Sequence, residues 1–314
     1  MSQTESSSSF QAKAIAALWR LLSHRSPVTL WRLARWLGPL VYRFGRRERE
    51  VTKVNLCEVF PALDEGERRR LSRDSLVHST ATMLELGFAW LAEPRRVENS
   101  IRAVHGRELL DEARAEGRGV IVLAPHFGNW EVLNFWLSSH FPFTAMYEPP
   151  KIVALDPLIR HGRERMGASL VPTNSRGVAS LLKALKRSEA VGILPDQEPD
   201  WSGGVFADFY RRPAYTATLL PKLVARTQAR VVTGVAKRCV DGNNHSRGFE
   251  IHFLAADQRV YDADEAIAAR GVNACVEAAI ALDPAQYQWE YKRYRKTPEQ
   301  QQGFPRHKHF RIYR

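Results

Sequence analysis

The sequence predicts an α/β protein with a central mixed, mostly parallel sheet, helices on both faces of that sheet, and amphipathic helices at the N-terminus. From about residue 104 onward, strand-like and helix-like segments alternate. Residues 119–124 (GVIVLA) and 190–194 (AVGIL) are apolar without polar alternation, as in strands that are covered on both faces. Before residue 50, apolar residues recur at helical spacing. These three patterns together favour a large α/β core with an N-terminal addition.

The elements follow in a regular order. Residues 51–97 are predicted to be helical, and Pro94 ends that region. The predicted strands are 119–124, 143–147, 168–171, 190–194, 230–236 and 248–254, and the helices between and after them are 129–139, 155–166, 176–187, 216–227 and 264–282.

Composition limits the class of protein. With 314 residues and 44% hydrophobic residues, the chain can bury one large core. Its three cysteines, Cys57, Cys239 and Cys275, lie far apart and form no C-x-x-C motif, which argues against a disulfide framework or a zinc ribbon and favours a reducing compartment. The HKH sequence near the C-terminus is a weak metal motif. We therefore predict no metal site and no cofactor.

The net charge of +12 is concentrated at the two ends. Residues 1–50 contain nine Lys or Arg against three Asp or Glu, residues 286–314 contain eight against two, and residues 51–285 contain 29 of each. Two basic ends on a neutral body indicate an anionic partner, either a phospholipid surface or a nucleic acid.

The N-terminal region favours the phospholipid surface. We expect a disordered, serine-rich leader over residues 1–9 and membrane-associating helices over residues 10–48. The helical stripes have arginines beside them and tryptophans within or next to them, which is typical of helices that lie in a membrane interface. The alternative is that these are core helices of a soluble protein. The stripes are Ile15, Leu18, Trp19 and Leu22, then Leu30, Leu33, Leu37, Leu40 and Phe44, with further tryptophans at Trp31 and Trp36.

A histidine and a glutamate follow the first buried strand, in VIVLAPHFGNWE (residues 120–131). On one continuous helix, a separation of five residues would turn His126 and Glu131 about 140° apart, which excludes a helical metal pair. If His126 precedes a helix that carries Glu131 in its first turn, the carboxylate can fold back and orient the imidazole as a base. The alternative is purely structural, with the histidine closing a strand and the glutamate stabilising a helix start.

No protein nucleophile accompanies this pair. The sequence has no G-x-S-x-G and no nucleotide-binding G-x-G-x-x-G or G-x-x-x-x-G-K-[ST] motif. A dyad of His126 and Glu131 would therefore activate a hydroxyl of the substrate. A second buried strand ends similarly, at Pro195, Asp196 and Gln197, and the carboxyl ends of strands are where reactive groups gather in such sheets.

The H-x-x-x-x-E motif resembles that of the bacterial lipid A late acyltransferases. The similarity extends over residues 50–296 and includes NLCEVFPALDEGERRRLSRDS, PLIRHGRERMG, LPDQEPDWSGGVFADFYRRPAYTAT and QYQWEYKRYRK. The chain departs from the family pattern at FYRRP, where a glycine is usual, and at AQY, where EQY is usual. The resemblance implies an acyltransferase domain over residues 49–300, followed by a basic tail over residues 301–314.

The activity implied by the resemblance is transfer of a fatty acyl group from acyl carrier protein to a hydroxyl of a Kdo-bearing lipid A precursor. No acyl-enzyme is expected, and the location implied is the cytoplasmic face of the inner membrane, in contact with phospholipids. A protein of the same fold acting on another lipid acceptor is the nearest alternative. A membrane- or nucleic-acid-binding module is the alternative from another class, although nothing in the neutral body indicates nucleic acid.

Four further residues are candidates for substrate binding. We expect Arg163 to bind a lipid phosphate or assist the oxyanion, with a solvated helix arginine as the alternative and Arg160 as a rival. Asp196 and Gln197 would orient the acceptor or brace the loop around His126, or would form only a turn. Asn129 would cap the following helix or donate to the oxyanion, and the cap is favoured.

Overall fold

The computed structural model describes residues 3–303 and 312–313 of the chain. Its helices are α1 Gln3–Ser23, α2 Pro27–Phe44, α3 Arg46–Val59, α4 Glu65–Leu91, α5 Pro94–Glu98, α6 Glu108–Ala115, α7 Trp130–His140, α8 Asp156–Glu164, α9 Ser175–Lys186, α10 Leu219–Thr227, α11 Glu265–Ala281 and α12 Pro298–Gln301. Its strands are β1 Ile101–His105, β2 Val120–Leu123, β3 Phe143–Tyr147, β4 Ser169–Pro172, β5 Ala190–Ile193, β6 Gly204–Phe209, β7 Arg212–Ala217, β8 Arg230–Val240 and β9 Ser246–Ala255.

Seven strands form the central sheet, in the order β1-β9-β8-β2-β5-β3-β4. Only β8 and β9 are antiparallel, while the other neighbours are parallel. The prediction of a mixed, mostly parallel sheet is therefore confirmed. Because β5 and β8 flank β2, the loop after β2 lies at the centre of one sheet edge.

Helices cover both faces of β2, which explains its uninterrupted apolar sequence. Val120 and Val122 pack in one cluster with Val132 and Trp136 of α7. Ile121 and Leu123 pack in a second cluster on the opposite face, which contains Leu181 of α9 and Leu220 of α10. Packing on both faces therefore fixes the position of β2 and of the loop that follows it.

Local sequence signals set several helix ends. Asp64 and Glu67 form a reciprocal capping box at the start of α4, and Ser26 caps α2 with Pro27 in the first turn. Asn174 accepts hydrogen bonds from the amides of residues 176 and 177 and so caps α9.

The sequence interpretation missed β1 and the hairpin of β6 and β7. β1 is short and half-buried and carries polar residues, so it lacks the apolar run that identifies an interior strand. The hairpin lies outside the main sheet and turns at Tyr210, whose φ of 54° is unusual for a bulky residue. Tyr210 stands in the FYRRP stretch, where the family's usual glycine is absent.

The N-terminal helices divide their apolar residues between core and surface. Leu30, Trp31 and Ala34 of α2 are buried, and the Trp31 indole donates a hydrogen bond to the Asn244 carbonyl at 3.0 Å. The same helix exposes large apolar side chains farther along, namely Trp36 at 68%, Leu40 at 42% and Phe44 at 74%. The predicted single stripe is therefore split, and Trp31 belongs to its buried part.

The ends of the chain differ from expectation or lie outside the described residues. α1 begins at Gln3, inside the predicted leader, and the disorder of residues 1–9 stays a prediction. Most of the predicted basic tail, residues 304–311 and 314, lies outside the described residues. Among the helices that the structure describes, none has the length and apolarity to cross a bilayer.

Candidate active site

His126 and Asp196 meet at the carboxyl ends of two neighbouring parallel strands. β2 and β5 pair in register up to Leu123 and Ile193, so the loops that follow both strands emerge side by side. The Asp196 carboxylate accepts hydrogen bonds from the His126 backbone amide and lies against Nδ1, each at 2.8 Å. Asp196 thus braces the loop around His126, as one of its predicted alternatives stated.

Each of the two groups shifts the pKa of the other in the direction that favours its charged form. Burial would lower the pKa of His126, but the charge and hydrogen bond of Asp196, and next the charge of Glu131, raise it above its ordinary value. Burial would raise the pKa of Asp196, but His126 lowers it. An ionised Asp196 accepts Nδ1–H and leaves Nε2 as the basic nitrogen. Gln197 Nε2 lies 3.3 Å from that nitrogen.

Glu131 does not contact His126, and this part of the sequence interpretation was wrong. The Glu131 carboxylate is 1% exposed and is held by Arg163, whose Nε lies 3.1 and 3.0 Å from its two oxygens and whose Nη2 contacts Oε1. The Trp90 indole also donates to Oε2 at 2.8 Å. Glu131 lies in the first turn of α7 as expected, but that turn presents it to α4 and α8. Asp196 takes the orienting position instead.

Arg163 is not a solvated surface arginine, because its guanidinium pairs with the buried Glu131. The Arg163 side chain is 24% exposed, and its guanidinium lies 5.9 Å from the centre of the Trp90 ring and 5.3 Å from that of Tyr147. Burial would lower its pKa, but the charge and hydrogen bonds of Glu131 raise it. The rival Arg160 pairs with Glu164 on the same helix.

Asn129 is the helix cap that the sequence favoured. Its Oδ1 accepts from the Val132 amide at 3.1 Å, and its Nδ2 donates to Glu85 at 3.0 Å. Asn129 is fully buried, and both of its polar side-chain atoms are occupied by these contacts.

Glycine is required two residues after His126. Gly128 has φ of 57°, and a Cβ there would lie 2.1 Å from the Ala236 carbonyl oxygen. Its carbonyl accepts from Thr82 at 2.7 Å, and its amide donates to the Gln286 carbonyl at 2.9 Å. The loop therefore lies directly against β8.

The segment 286–288 pairs with the His126 loop and was not identified as part of the site. The Gln288 amide donates to the His126 carbonyl at 3.0 Å, and Phe127 and Tyr287 form an antiparallel bridge. Burial, followed by the charge of Asp196, raises the pKa of Tyr287 well above its ordinary value. The signal was present in QYQWEYKRYRK, which the family resemblance included without a role.

A second C-terminal contact holds the Asp196 loop. Glu198 accepts from the backbone amides of Arg295 and Lys296 at 2.8 and 2.9 Å, and the side chain of Glu198 is fully buried. The Glu198 amide lies 2.8 Å from the Tyr291 hydroxyl, which accepts from it. Both loops of the site are thus secured by residues near the C-terminus.

An apolar cavity of about 420 Å³ opens beside this pair. Trp130, Glu131, Arg163 and Gln197 contribute to its wall. His126 contacts two of these residues: its ring lies 4.9 Å from that of Trp130, and its Nε2 lies 3.3 Å from Gln197 Nε2. The apolar side chains of the wall include Leu133, Leu137, Phe143, Leu170, Ile193 and Leu220. A mainly apolar cavity with a few polar groups is suited to a long hydrocarbon chain.

The fold and the site define an α/β protein with a carboxylate-oriented histidine beside a hydrocarbon-sized cavity. Residues 4–296 match the family described as bacterial lipid A biosynthesis acyltransferase. Since this match covers most of the chain, the protein belongs to that family and is an acyltransferase of lipid A biosynthesis.

Three relatives illustrate the range of the similarity. The chain is 28% identical to the lipid A biosynthesis lauroyltransferase of Escherichia coli K12, over 91% of both chains. It is 26% identical to the myristoyltransferase of the same organism, over 85% of this chain and 80% of the relative. A phosphatidylinositol mannoside acyltransferase of Mycobacterium tuberculosis is 29% identical, over 42% of each chain.

Proposed function

We propose that this protein transfers a fatty acyl group from acyl carrier protein to a hydroxyl of a Kdo-bearing lipid A precursor, with His126 as the general base. The observation that carries the proposal is the Asp196-bound His126 in contact with Trp130 and Gln197, two residues that line the apolar cavity. Family membership supports the lipid A acceptor. Acyl carrier protein as donor follows from the family resemblance.

The proton transfers require only one side chain of this protein. His126 Nε2 takes the proton of the acceptor hydroxyl as its oxygen attacks the thioester carbonyl. The tetrahedral oxyanion then collapses, the carbon–sulfur bond breaks, and the imidazolium returns the proton to the leaving thiolate. Asp196 fixes the Nδ1–H tautomer and stabilises the imidazolium between these two steps. Gln197 must move off Nε2 when the acceptor enters, because one lone pair cannot accept from both.

Glu131 and Arg163 act as a unit in this proposal. Both line the cavity, and Glu131 fixes the guanidinium plane. Arg163 is thereby positioned to stabilise an oxyanion or a phosphate of the substrate. Glu131 retains a catalytic contribution through Arg163 and through its charge near His126, and not as the partner of the imidazole ring.

The cavity would hold the acyl chain of the donor. Its volume and its leucine-rich walls favour a saturated or monounsaturated chain with the thioester at the polar mouth. The lauroyl and myristoyl names of the two relatives show that members of this family differ in the chain they transfer. Chain selection is therefore expected to depend on the residues at the closed end.

The exposed apolar residues of α2 would hold the site against the cytoplasmic face of the inner membrane. Trp36, Leu40 and Phe44 are exposed near Arg43 and Arg47, a combination suited to an interface with anionic phospholipids. Interfacial binding of this kind keeps a membrane-borne acceptor within reach of a cavity on the protein.

The test is an assay of purified protein in detergent, with acyl carrier protein thioesters of several lengths and a lipid A precursor. His126→Ala should lower the transfer rate by about 10²- to 10⁴-fold, the usual contribution of a general base. His24→Ala is the matched control, because His24 is exposed and lies outside the site. Near-wild-type transfer by a folded His126→Ala protein would contradict the mechanism.

Another lipid acceptor remains the second candidate, and the partial similarity to the mannoside acyltransferase favours it. Mass spectrometry of lipid A from a deletion strain separates the two, since an unchanged acyl count would exclude lipid A as acceptor. Comparing retention on anionic liposomes with retention on duplex DNA tests the binding-module alternative, for which DNA binding without acyl transfer is required.

A further inference from the structure

Three potential metal ligands meet on an edge of the central sheet away from the His126 loop. His105 ends β1 and pairs in register with His252 of β9. Glu250 precedes His252 by two residues on the same strand, so its side chain lies on the same face. One ligand atom from each residue lies within 4.8 Å of the other two. No sequence spacing indicates this cluster, because His105 is distant in the chain from the other two residues.

The geometry of the cluster is close to that of a metal site. His252 Nε2 lies 3.4 Å from Glu250 Oε2, and the two imidazole rings stack with centres 4.6 Å apart and planes inclined by 26°. Ligand bonds to zinc are about 2.0–2.2 Å, so two ligand atoms of a tetrahedral site are separated by about 3.4 Å. The Glu250 and His252 atoms already have this separation. His105 is exposed and lies on an edge strand, so a side-chain rotation can bring it closer.

The donor types of the cluster suit a transition metal. Each imidazole offers a ring nitrogen, and Glu250 offers a carboxylate oxygen.

The donor atoms limit the choice of metal. They are two imidazole nitrogens and one carboxylate oxygen. Lys237 lies opposite Glu250 in the register of β8 and β9, so its positive charge works against cation binding. Imidazole ligands favour zinc and similar transition metals over Mg²⁺ or Ca²⁺.

We propose that His105, Glu250 and His252 bind a divalent transition metal of the zinc class, with the fourth position open to solvent beside His105. The bound ion would clip β1 to β9. β1 is an edge strand of five residues whose pairing with β9 is irregular between Ile101 and Ala103, so a cross-strand ligand bond adds to a weak ladder. The site is structural and independent of acyl transfer.

The experiment uses full-length protein without an affinity tag. Zinc is titrated against a chromophoric chelator, and cobalt is added separately to observe the visible bands of a tetrahedral complex. We expect one equivalent of high-affinity zinc, a cobalt spectrum, and a zinc-dependent rise in Tm. His105→Ala and His252→Ala should each weaken binding at least tenfold, and Glu250→Gln should weaken it while preserving side-chain volume.

Two control variants test whether zinc binds at this cluster or at another histidine. His24→Ala removes an exposed histidine outside the cluster and should bind as the wild type does. A variant with His307 and His309 replaced removes the HKH motif, which lies outside the described residues. The proposal is overturned if the double variant His105→Ala/His252→Ala, folded by circular dichroism, still binds zinc with unchanged affinity. It is also overturned if binding is lost only with His307 and His309, or if the wild type binds no zinc.

Discussion

Asp196 holds His126 at two points, through the backbone amide and through the ring nitrogen Nδ1, each at 2.8 Å. Replacing Asp196 by Asn keeps the size of the side chain but removes its charge, and the amide group can present a donor to Nδ1 and favour the other tautomer. We expect Asp196→Asn to lower kcat by about 10²- to 10⁴-fold with a small change in KM. Glu198→Gln is the matched control, because it alters the next carboxylate along the loop without touching His126. Equal losses in both variants would indicate loop disruption and not loss of orientation.

The pH dependence of the reaction follows from the pKa of His126. Because the base must be neutral, the rate should fall as the pH drops through that pKa, which lies above the ordinary 6.5 on account of Asp196 and Glu131, despite the opposing effect of burial. The acid limb of kcat/KM should therefore lie above pH 6.5. In Asp196→Asn the residual activity should have its acid limb at lower pH, because the imidazolium has lost its nearest negative charge. An unchanged limb in that variant would show that another group titrates.

Because Glu131 and Arg163 form a buried pair, removing Arg163 alone should destabilise the protein more than replacing both residues. Removing Arg163 leaves a carboxylate that is 1% exposed without its cation, so Arg163→Met should lower the free energy of unfolding by about 3–5 kcal/mol. The double variant Glu131→Gln/Arg163→Met should recover much of that loss in urea denaturation while remaining impaired in transfer. If the single and double variants unfold alike, the pair is not coupled.

Adding a side chain at Gly192 should change the length of acyl chain that the protein prefers. Gly192 lies on β5 in the wall of the cavity, and a Cβ there would lie 2.6 Å from Phe143 Cζ, so Gly192→Ala should push the Phe143 ring and shorten the usable space. A panel of acyl carrier protein thioesters should show a preference shifted toward shorter chains. Val178→Ala on the opposite face of the sheet is a control that should leave the preference unchanged. A uniform loss with all chain lengths would mean that the variant disturbs the fold instead.

The exposed apolar residues of α2 predict membrane binding that depends on few side chains. Trp36→Ser/Phe44→Ser should reduce retention on vesicles that contain anionic phospholipid at least tenfold, and should leave transfer to a detergent-solubilised acceptor nearly unchanged. Met83→Ser removes another exposed apolar residue, 44% exposed on α4, and provides the comparison. If both proteins are retained equally, α2 is not the membrane contact.

The sequence predicts the position of the site better than its internal contacts. His126 and Asp196 were placed at the ends of two buried strands, and adjacent parallel strands bring such ends together. The partner of Glu131 could not be predicted in the same way, because the direction that the first turn of α7 faces depends on how that helix packs against α4 and α8. Arg163 and Trp90 reach Glu131 from those two helices, which are remote from it in sequence.

Two other features were missed because they also depend on tertiary contacts. Gln286 and Tyr287 contact the His126 loop through backbone pairing, which leaves no side-chain pattern in the sequence. β1 was missed because an edge strand with one open face need not be apolar, and this open face also places His105 beside His252.

The pairing of residues 286–288 with the loop at 126–128 has a consequence for synthesis of the protein. A nascent chain can form α1, α2 and the first strands long before Gln288 leaves the ribosome, but the His126 carbonyl and the Gly128 amide have no backbone partner until then. The loop that carries His126 therefore reaches its final backbone pairing only after residues 286–288 have been translated.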